Sequence, residues 1–125
     1  MGIVYKDIKI LGEKGSKRAH ALFDSGASVS LLRKDIAERI ARTVSLPKPI
    51  KLTLGDGEGT LIIRELAALE ITIEGCNLSQ PLYITEKLGE EMIIGADVLQ
   101  RWDIRLVPRK RKVLISKEAT RLKLI

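Results

Sequence analysis

A carboxylate at the end of an apolar segment constrains the fold of this 125-residue chain more than any other feature. Asp24 directly follows the apolar residues 21–23, and Ser25 and Gly26 come next. The run predicts a buried strand that ends in a tight turn, with Asp24 at the strand end. A charged group near a core is costly unless hydrogen bonds or chemistry use it, so Asp24 is a candidate functional residue. The run occurs once, and Asp-Ser-Gly alone is also ordinary turn chemistry.

Length and composition indicate one domain spanning residues 1–125, because 45% of the residues are hydrophobic, enough for a core. No apolar run approaches the length of a membrane span, and residues 1–11 lack the apolar core of a signal peptide. We therefore expect a cytoplasmic protein with no membrane partner. Cys76 is the single cysteine, which excludes an internal disulfide. One cysteine and one histidine cannot supply a typical zinc site, so we expect no metal and no cofactor.

Alternation of polar and apolar residues predicts an all-β domain, a barrel or a sandwich with one or two short helices. The predicted strands are residues 5–10, 18–23, 29–32, 50–54, 60–63, 66–73, 82–84, 92–95, 104–106 and 113–115. Residues 34–41 have helical spacing of apolar side chains, and residues 97–102 fit one or two helical turns. Pro47 and Pro49 predict the end of the first helical region, and Cys76 falls in a predicted turn.

A glycine-rich hairpin lies between the predicted strands 50–54 and 60–63. Its tip consists of Gly55, Asp56, Gly57, Glu58 and Gly59. Three glycines in five residues favour a mobile lid, since glycine-rich tips often have functional roles. A plain hairpin turn is the alternative.

A second motif, Ile93-Ile94-Gly95 with Asp97 after it, follows much later in the chain. With the Asp24 run and the intervening hairpin, it resembles the retropepsin-like aspartic proteases, meaning the retroviral proteases and their single-domain cellular relatives. The resemblance covers residues 17–116. It implies a closed β-barrel with a flap hairpin at the glycine-rich tip. It also implies that Ile94 and Gly95 pack behind the catalytic loop and support it.

The resemblance assigns roles to the residues of the Asp24 run. Asp24 is the implied catalytic residue, and the hydroxyl of Ser25 ties two active-site loops together. Gly26 lets the loop turn close to substrate, and Ala27 continues this loop. Viral members usually carry an aspartate that binds the substrate backbone where this chain has Ser28.

Hydrolysis of a peptide bond by this chemistry needs two carboxylates that share one proton, one to activate water and one to polarise the carbonyl. One chain supplies one such carboxylate, so we expect a homodimer in which Asp24 faces the partner's Asp24. The expected reaction is aspartic endopeptidase cleavage of a polypeptide substrate, with an optimum on the acidic side of neutral. The resemblance further implies that the chain ends, residues 2–6 and 122–125, contribute to an intersubunit sheet.

Two other functions stay open at this point. The domain could keep the protease fold as a catalytically silent dimerisation or peptide-binding module. The basic run Arg109, Lys110, Arg111 and Lys112 could contact nucleic acid. No aromatic residues accompany that run to stack on bases, so we favour a solvated hairpin turn and expect no nucleic-acid partner.

Three further residues have structural interpretations. His20 lies on the same strand face as Leu22 and Asp24, yet aspartic chemistry does not need it. Asp97 favours capping a helix over touching substrate. Trp102 is predicted to lie in the core.

Overall fold

The structure is a computed structural model, and it describes residues 2–53 and 59–118. The predicted flap residues Gly55, Asp56, Gly57 and Glu58, and the chain end 122–125, lie outside the described residues. In chain order the elements are β1 (Ile3–Gly12), β2 (Gly15–Asp24), β3 (Leu31–Arg33), α1 (Lys34–Ile40), β4 (Val44–Thr53), β5 (Thr60–Ala67), β6 (Glu70–Ile73), β7 (Cys76–Ser79), β8 (Leu82–Thr85), β9 (Met92–Ile94), α2 (Ala96–Arg101), β10 (Arg105–Val107), a 3₁₀ turn (Pro108–Lys110) and β11 (Lys112–Leu114). The chain is therefore mostly β with two short α-helices in its described part.

One mixed sheet of nine strands organises the described residues, in the order β4-β5-β8-β3-β9-β2-β1-β6-β7. The hairpin β1–β2 is antiparallel, and β2 lies parallel to β9. The described strand pairs leave the sheet open at β4 and at β7. The closed barrel therefore stays a prediction. Strands β10 and β11 form a separate antiparallel pair, which gives the basic run the hairpin setting expected from the sequence.

The main core lies against the inner face of this sheet, and it contains Phe23, Ile94 and Trp102. Trp102 is 1% exposed, which confirms the predicted core position, and its indole N–H donates to Oε1 of Gln80 at 2.9 Å. A smaller apolar cluster lies under the β4–β5 hairpin. Its members are Leu31, Leu61 and Ile63, with the partly buried Leu46, Ile50, Leu52, Tyr83 and Leu88 packed against them. The strands that lead to the predicted flap thus have their own small core.

The strand before the glycine-rich tip differs from the sequence prediction. Strand β4 begins at Val44 and includes Pro47 and Pro49, whereas the predicted strand began at residue 50. The strand tolerates both prolines because β4 is an edge strand, and its pairing with β5 shifts register between Ser45 and Ile50.

The segment after β5 also differs from the prediction. The single strand predicted over residues 66–73 is two strands, because β5 pairs with β8 whereas β6 pairs with β1 and β7. Cys76 is not a turn residue: it is buried and begins β7, a strand that the sequence analysis missed. Here the change of strand partner decides the boundaries, and local sequence does not carry that information.

Candidate active site

Strand β2 delivers Asp24 to the edge of the core. Alternation along β2 buries Ala21 and Phe23, so Leu22 and Asp24 point to the other face. The Asp24 carboxylate accepts a hydrogen bond from the Gly26 N–H at 2.9 Å. The Ala27 N–H donates to the Asp24 carbonyl at 3.1 Å, which closes the turn. The predicted strand end and tight turn are both confirmed.

Strand β9 lies beside β2 and brings the second motif to the same place. The two strands are parallel, with Phe23 opposite Ile94, so Gly95 follows β9 at the level where Asp24 ends β2. Ile94 is fully buried. The structure therefore places the Ile94-Gly95 motif directly against the Asp24 loop.

Gly95 is required by a close approach of backbone. A Cβ at this position would lie 2.6 Å from the carbonyl oxygen of Ala27 and 2.8 Å from that of Val29. The φ of Gly95 is −102°, which any residue adopts, so the restriction is steric. The Ala96 N–H donates to the same Ala27 carbonyl at 2.7 Å. The loop after Asp24 thus rests on the residues that open helix α2.

A hydrogen-bonded pair that the sequence analysis did not connect holds this loop to the helix. The hydroxyl of the buried Ser30 donates to Oδ1 of Asp97 at 2.6 Å and accepts from the Gly95 N–H at 2.8 Å. The backbone N–H of Ser30 donates to Oδ2 of Asp97 at 3.1 Å. One carboxylate therefore binds both the main chain and the side chain of Ser30.

The predicted capping role of Asp97 needs correction. Gly95 occupies the N-cap position of α2, and no side chain caps it. Asp97 lies in the first turn and also accepts the Val98 N–H at 2.8 Å. It joins the loop after Asp24 to the helix, a role that only the packing of β9 beside β2 makes visible.

Ser25 binds the start of the chain. Its hydroxyl lies 3.2 Å from the Gly2 nitrogen and 3.3 Å from the Gly2 carbonyl oxygen, and its own N–H donates to that carbonyl. Strand β1 continues this contact, since Ile3 pairs with Asp24 and Lys6 with Ala21. Residues 3–6 therefore pair with β2 of their own chain along one edge, and their expected place in an intersubunit sheet stays a prediction.

The outer face of the three strands around Asp24 carries a continuous row of side chains, here called the Asp24 face. Its members are Ile3, Tyr5 and Asp7 on β1, His20, Leu22 and Asp24 on β2, and Ile93 on β9. Ile3 and Tyr5 are 52% and 45% exposed. The sequence prediction that His20 shares a face with Asp24 is confirmed. Next to Asp24 the face is apolar, and beyond Tyr5 it is polar.

The polar end of the Asp24 face is a connected group. The Tyr5 and His20 rings stack at 5.2 Å between centroids, and Nδ1 of His20 lies 2.7 Å from Asp7. The Tyr5 hydroxyl donates to Glu90 at 3.1 Å. The hydrogen bond with Asp7 is the main cause that raises the pKa of His20, against an opposing effect of desolvation. The hydrogen bond with Glu90 raises the pKa of Tyr5.

The remaining predicted site residues lie around this face. Ser28 is exposed on the loop between Asp24 and β3. Gly59 is the one residue of the predicted flap tip that the structure describes, and it directly precedes β5. Within the described residues, 2–53 and 59–118, no three Cys, His, Asp or Glu side chains lie close enough together to hold a metal ion. Within the same residues, no helix is long and apolar enough to cross a bilayer.

Comparison with known proteins agrees with this geometry. Residues 10–101 match the family described as gag-polyprotein putative aspartyl protease. The chain belongs to this retropepsin-like aspartyl protease family. The match includes the Asp24 loop, both strands that meet at it and helix α2.

Two solved structures have a similar fold. The retroviral protease-like domain of Ddi1 from Leishmania major aligns over 93% of this chain and 90% of that one, with a TM-score of 0.68 and 21% identity. EIAV protease, in complex with the inhibitor HBY-793, aligns over 82% of this chain and 90% of that one, with a TM-score of 0.58 and 18% identity. At identities this low, the two alignments show a shared fold and nothing more.

Proposed function

We propose that the chain is an aspartic endopeptidase that acts as a homodimer, with one Asp24 carboxylate from each copy. The observation that carries the proposal is the support of Asp24. Its carboxylate is held by the Gly26 N–H, in a loop braced from behind by Gly95 and by the Ser30–Asp97 pair. Such a brace would keep the Asp24 carboxylate in one position for chemistry. Membership in an aspartyl protease family supports the same conclusion.

The reaction follows from two carboxylates at hydrogen-bond distance. Two such groups cannot both ionise cheaply, so the pair retains one proton. The ionised carboxylate takes a proton from water while the water oxygen attacks the peptide carbonyl carbon. The protonated carboxyl group gives its proton to the carbonyl oxygen, and a tetrahedral diol forms. Transfer of a proton to the amide nitrogen then breaks the C–N bond and releases an acid and an amine. Because the pair must keep one shared proton, we expect the rate of cleavage to be highest at a pH on the acidic side of neutral.

The surface beside Ser25 supports the proposal that the partner is a second copy of this chain. A cavity of about 370 Å³ lies between the start of the chain, helix α2 and strand β10, next to Ser25. Leu99, Ile104, Leu106 and Pro108 contribute apolar side chains to it. A partner whose Asp24 comes within hydrogen-bond distance of this Asp24 would cover the neighbouring surface. Burial of the exposed Pro108 and the partly exposed Leu106 would then stabilise the dimer.

The Asp24 face fits an extended polypeptide as substrate. Leu22 and Ile93 are partly exposed beside Asp24, and Ile3 and Tyr5 extend the apolar surface. We expect an apolar substrate side chain here, next to the bond that is cut. Gly55, Asp56, Gly57, Glu58 and Gly59 are proposed to cover the substrate as a flap, and Ser28 to contact its backbone.

The test is replacement of Asp24 by asparagine in the purified chain. Asp24→Asn removes the ionisable group but keeps the size and one acceptor, so cleavage of a denatured protein should fall by about 10²- to 10⁴-fold, as expected when an essential acid–base group is lost. Asp35→Asn is the matched control, because Asp35 is exposed on α1 and pairs with Arg33. Light scattering at micromolar concentration should show a dimer for the native chain and for both variants.

Two outcomes contradict the proposal. Cleavage that is unchanged in Asp24→Asn would remove Asp24 from the mechanism, and a strictly monomeric chain would leave the site with one carboxylate. The alternative is the catalytically silent module. It predicts tight peptide binding without turnover from about pH 3 to 8, the range in which carboxylate pairs titrate.

A further inference from the structure

The loop that leads into strand β9 is held by side chains from other elements. This β8–β9 loop comprises residues 86–91. Oε1 of Glu90 accepts the Tyr5 hydroxyl at 3.1 Å, and Oε1 of Glu91 accepts the backbone N–H of His20 at 2.9 Å. At the other end, Nζ of Lys34 lies 3.4 Å from Glu86. The loop is thus fastened to the β1–β2 hairpin on one side and to helix α1 on the other.

The β8–β9 loop borders the Asp24 face. Tyr5 pairs with Leu22, which is two residues before Asp24, so Tyr5 lies about 7 Å along the strand from the level of Asp24. Ile93, on the other side of Leu22, comes two residues after the loop. Leu88, within the loop, packs against the small core under the β4–β5 hairpin. The loop therefore connects the surface beside Asp24 with the hairpin of the predicted flap.

The Tyr5 ring is held in an orientation that keeps its hydroxyl within hydrogen-bond distance of Glu90. This ring lies nearly parallel to that of His20, at 9° between the planes, and His20 is in turn held by Asp7. The ring is 45% exposed, so core packing does not explain a tyrosine here. The hydroxyl is the group that reaches the loop, at Glu90.

We propose that Tyr5 is a positioning residue of the active site: its hydroxyl holds Glu90 and so fixes the β8–β9 loop as a side wall of the substrate cleft. This inference rests on the proposed function. A wall that is held before substrate arrives lowers the ordering cost of binding, whereas Tyr5 itself takes no part in bond cleavage. Loss of the hydroxyl should therefore weaken substrate binding and leave the chemical step intact.

The test compares Tyr5→Phe with the native dimer on one peptide substrate. Tyr5→Phe keeps the stacked ring and removes one hydrogen bond, so KM should rise about three- to tenfold with kcat within about twofold. Glu90→Ala should have the same effect, and Glu90→Gln, which keeps an acceptor oxygen, should retain near-native KM. Tyr5→Phe should add nothing in the Glu90→Ala background. Tyr83→Phe, which removes the chain's other tyrosine hydroxyl, is the matched control.

A second readout does not depend on turnover. Amide hydrogen exchange of residues 89–92 should be faster in Tyr5→Phe than in the native chain, and unchanged in Tyr83→Phe. Native exchange rates in Tyr5→Phe, an unchanged KM, or additive effects of Tyr5→Phe and Glu90→Ala would each overturn the positioning role. A native chain that cleaves no peptide would instead refute the proposed function, and the exchange rates would still decide whether Tyr5 holds the loop.

Discussion

Replacement of Ser30 by alanine tests the brace behind the loop that follows Asp24. Ser30 is 1% exposed, and its hydroxyl donates to Asp97 and accepts from the Gly95 N–H. A hydrogen bond to a charged group contributes about 1.5–3 kcal/mol, and a buried N–H without a partner costs about 1–3 kcal/mol. These contributions overlap, so we expect Ser30→Ala to lower the free energy of unfolding by about 2–4 kcal/mol. This is a large part of the ~5–15 kcal/mol that holds a typical domain folded.

Equilibrium unfolding in urea measures this loss directly. With an m-value of about 1.5 kcal/mol/M, the midpoint should fall by about 1.3–2.7 M while m stays constant. Ser28→Ala is the matched control, because Ser28 is exposed two residues earlier in the same loop, and it should change stability by less than about 0.5 kcal/mol. A loss below about 1 kcal/mol in Ser30→Ala, or an equal loss in Ser28→Ala, would refute the brace.

Two further predictions concern the same region. Gly95→Ala should destabilise the chain by about 1–3 kcal/mol in urea unfolding, because the new Cβ would lie 2.6 Å from the Ala27 carbonyl oxygen. Gly89→Ala is the control and should be near neutral, since the space around Gly89 is open. Equal effects of the two substitutions would contradict the steric argument. The contact between His20 and Asp7 should make the free energy of unfolding depend on pH. The folded-state pKa of His20 is raised above 6.5. The contact with Asp7 therefore stabilises the fold fully below pH 6.5, and this stabilisation is lost as the pH rises through the folded-state pKa. The urea midpoints of the native chain and of Asp7→Asn should thus differ most near pH 5.5 and converge by about pH 8.5, and a constant difference would contradict this assignment.

The sequence predicted the parts of the site that depend on local pattern. Alternation placed Asp24 at the end of β2, and helical spacing over residues 34–41 gave α1 within one residue. The structure places the Ile94-Gly95 motif against the loop after Asp24, and its expected support of a catalytic loop stays a prediction.

The sequence did not reveal the parts that depend on which strands become neighbours. The Ser30–Asp97 contact joins residues 67 positions apart and exists because β9 lies parallel to β2. A short polar side chain such as Ser30 gives no local signal of a hydrogen-bond partner far away in the sequence. The hydrogen bond between Tyr5 and Glu90 is a similar case, since it joins residues 85 positions apart across the outer face.

The two prolines of β4 also bear on how this chain meets other copies of itself. Strand β4 forms one end of the sheet, and its outer edge has no partner among the described strands. Pro47 and Pro49 have no N–H to offer an incoming strand, and the exposed Lys48 and Lys51 add charge to the same strand. Both features disfavour the addition of a strand from another chain at this edge. The prolines that obscured this strand in the sequence would thereby turn self-association away from sheet growth at this edge and leave the surface around Asp24, where we propose the dimer, as the favoured contact.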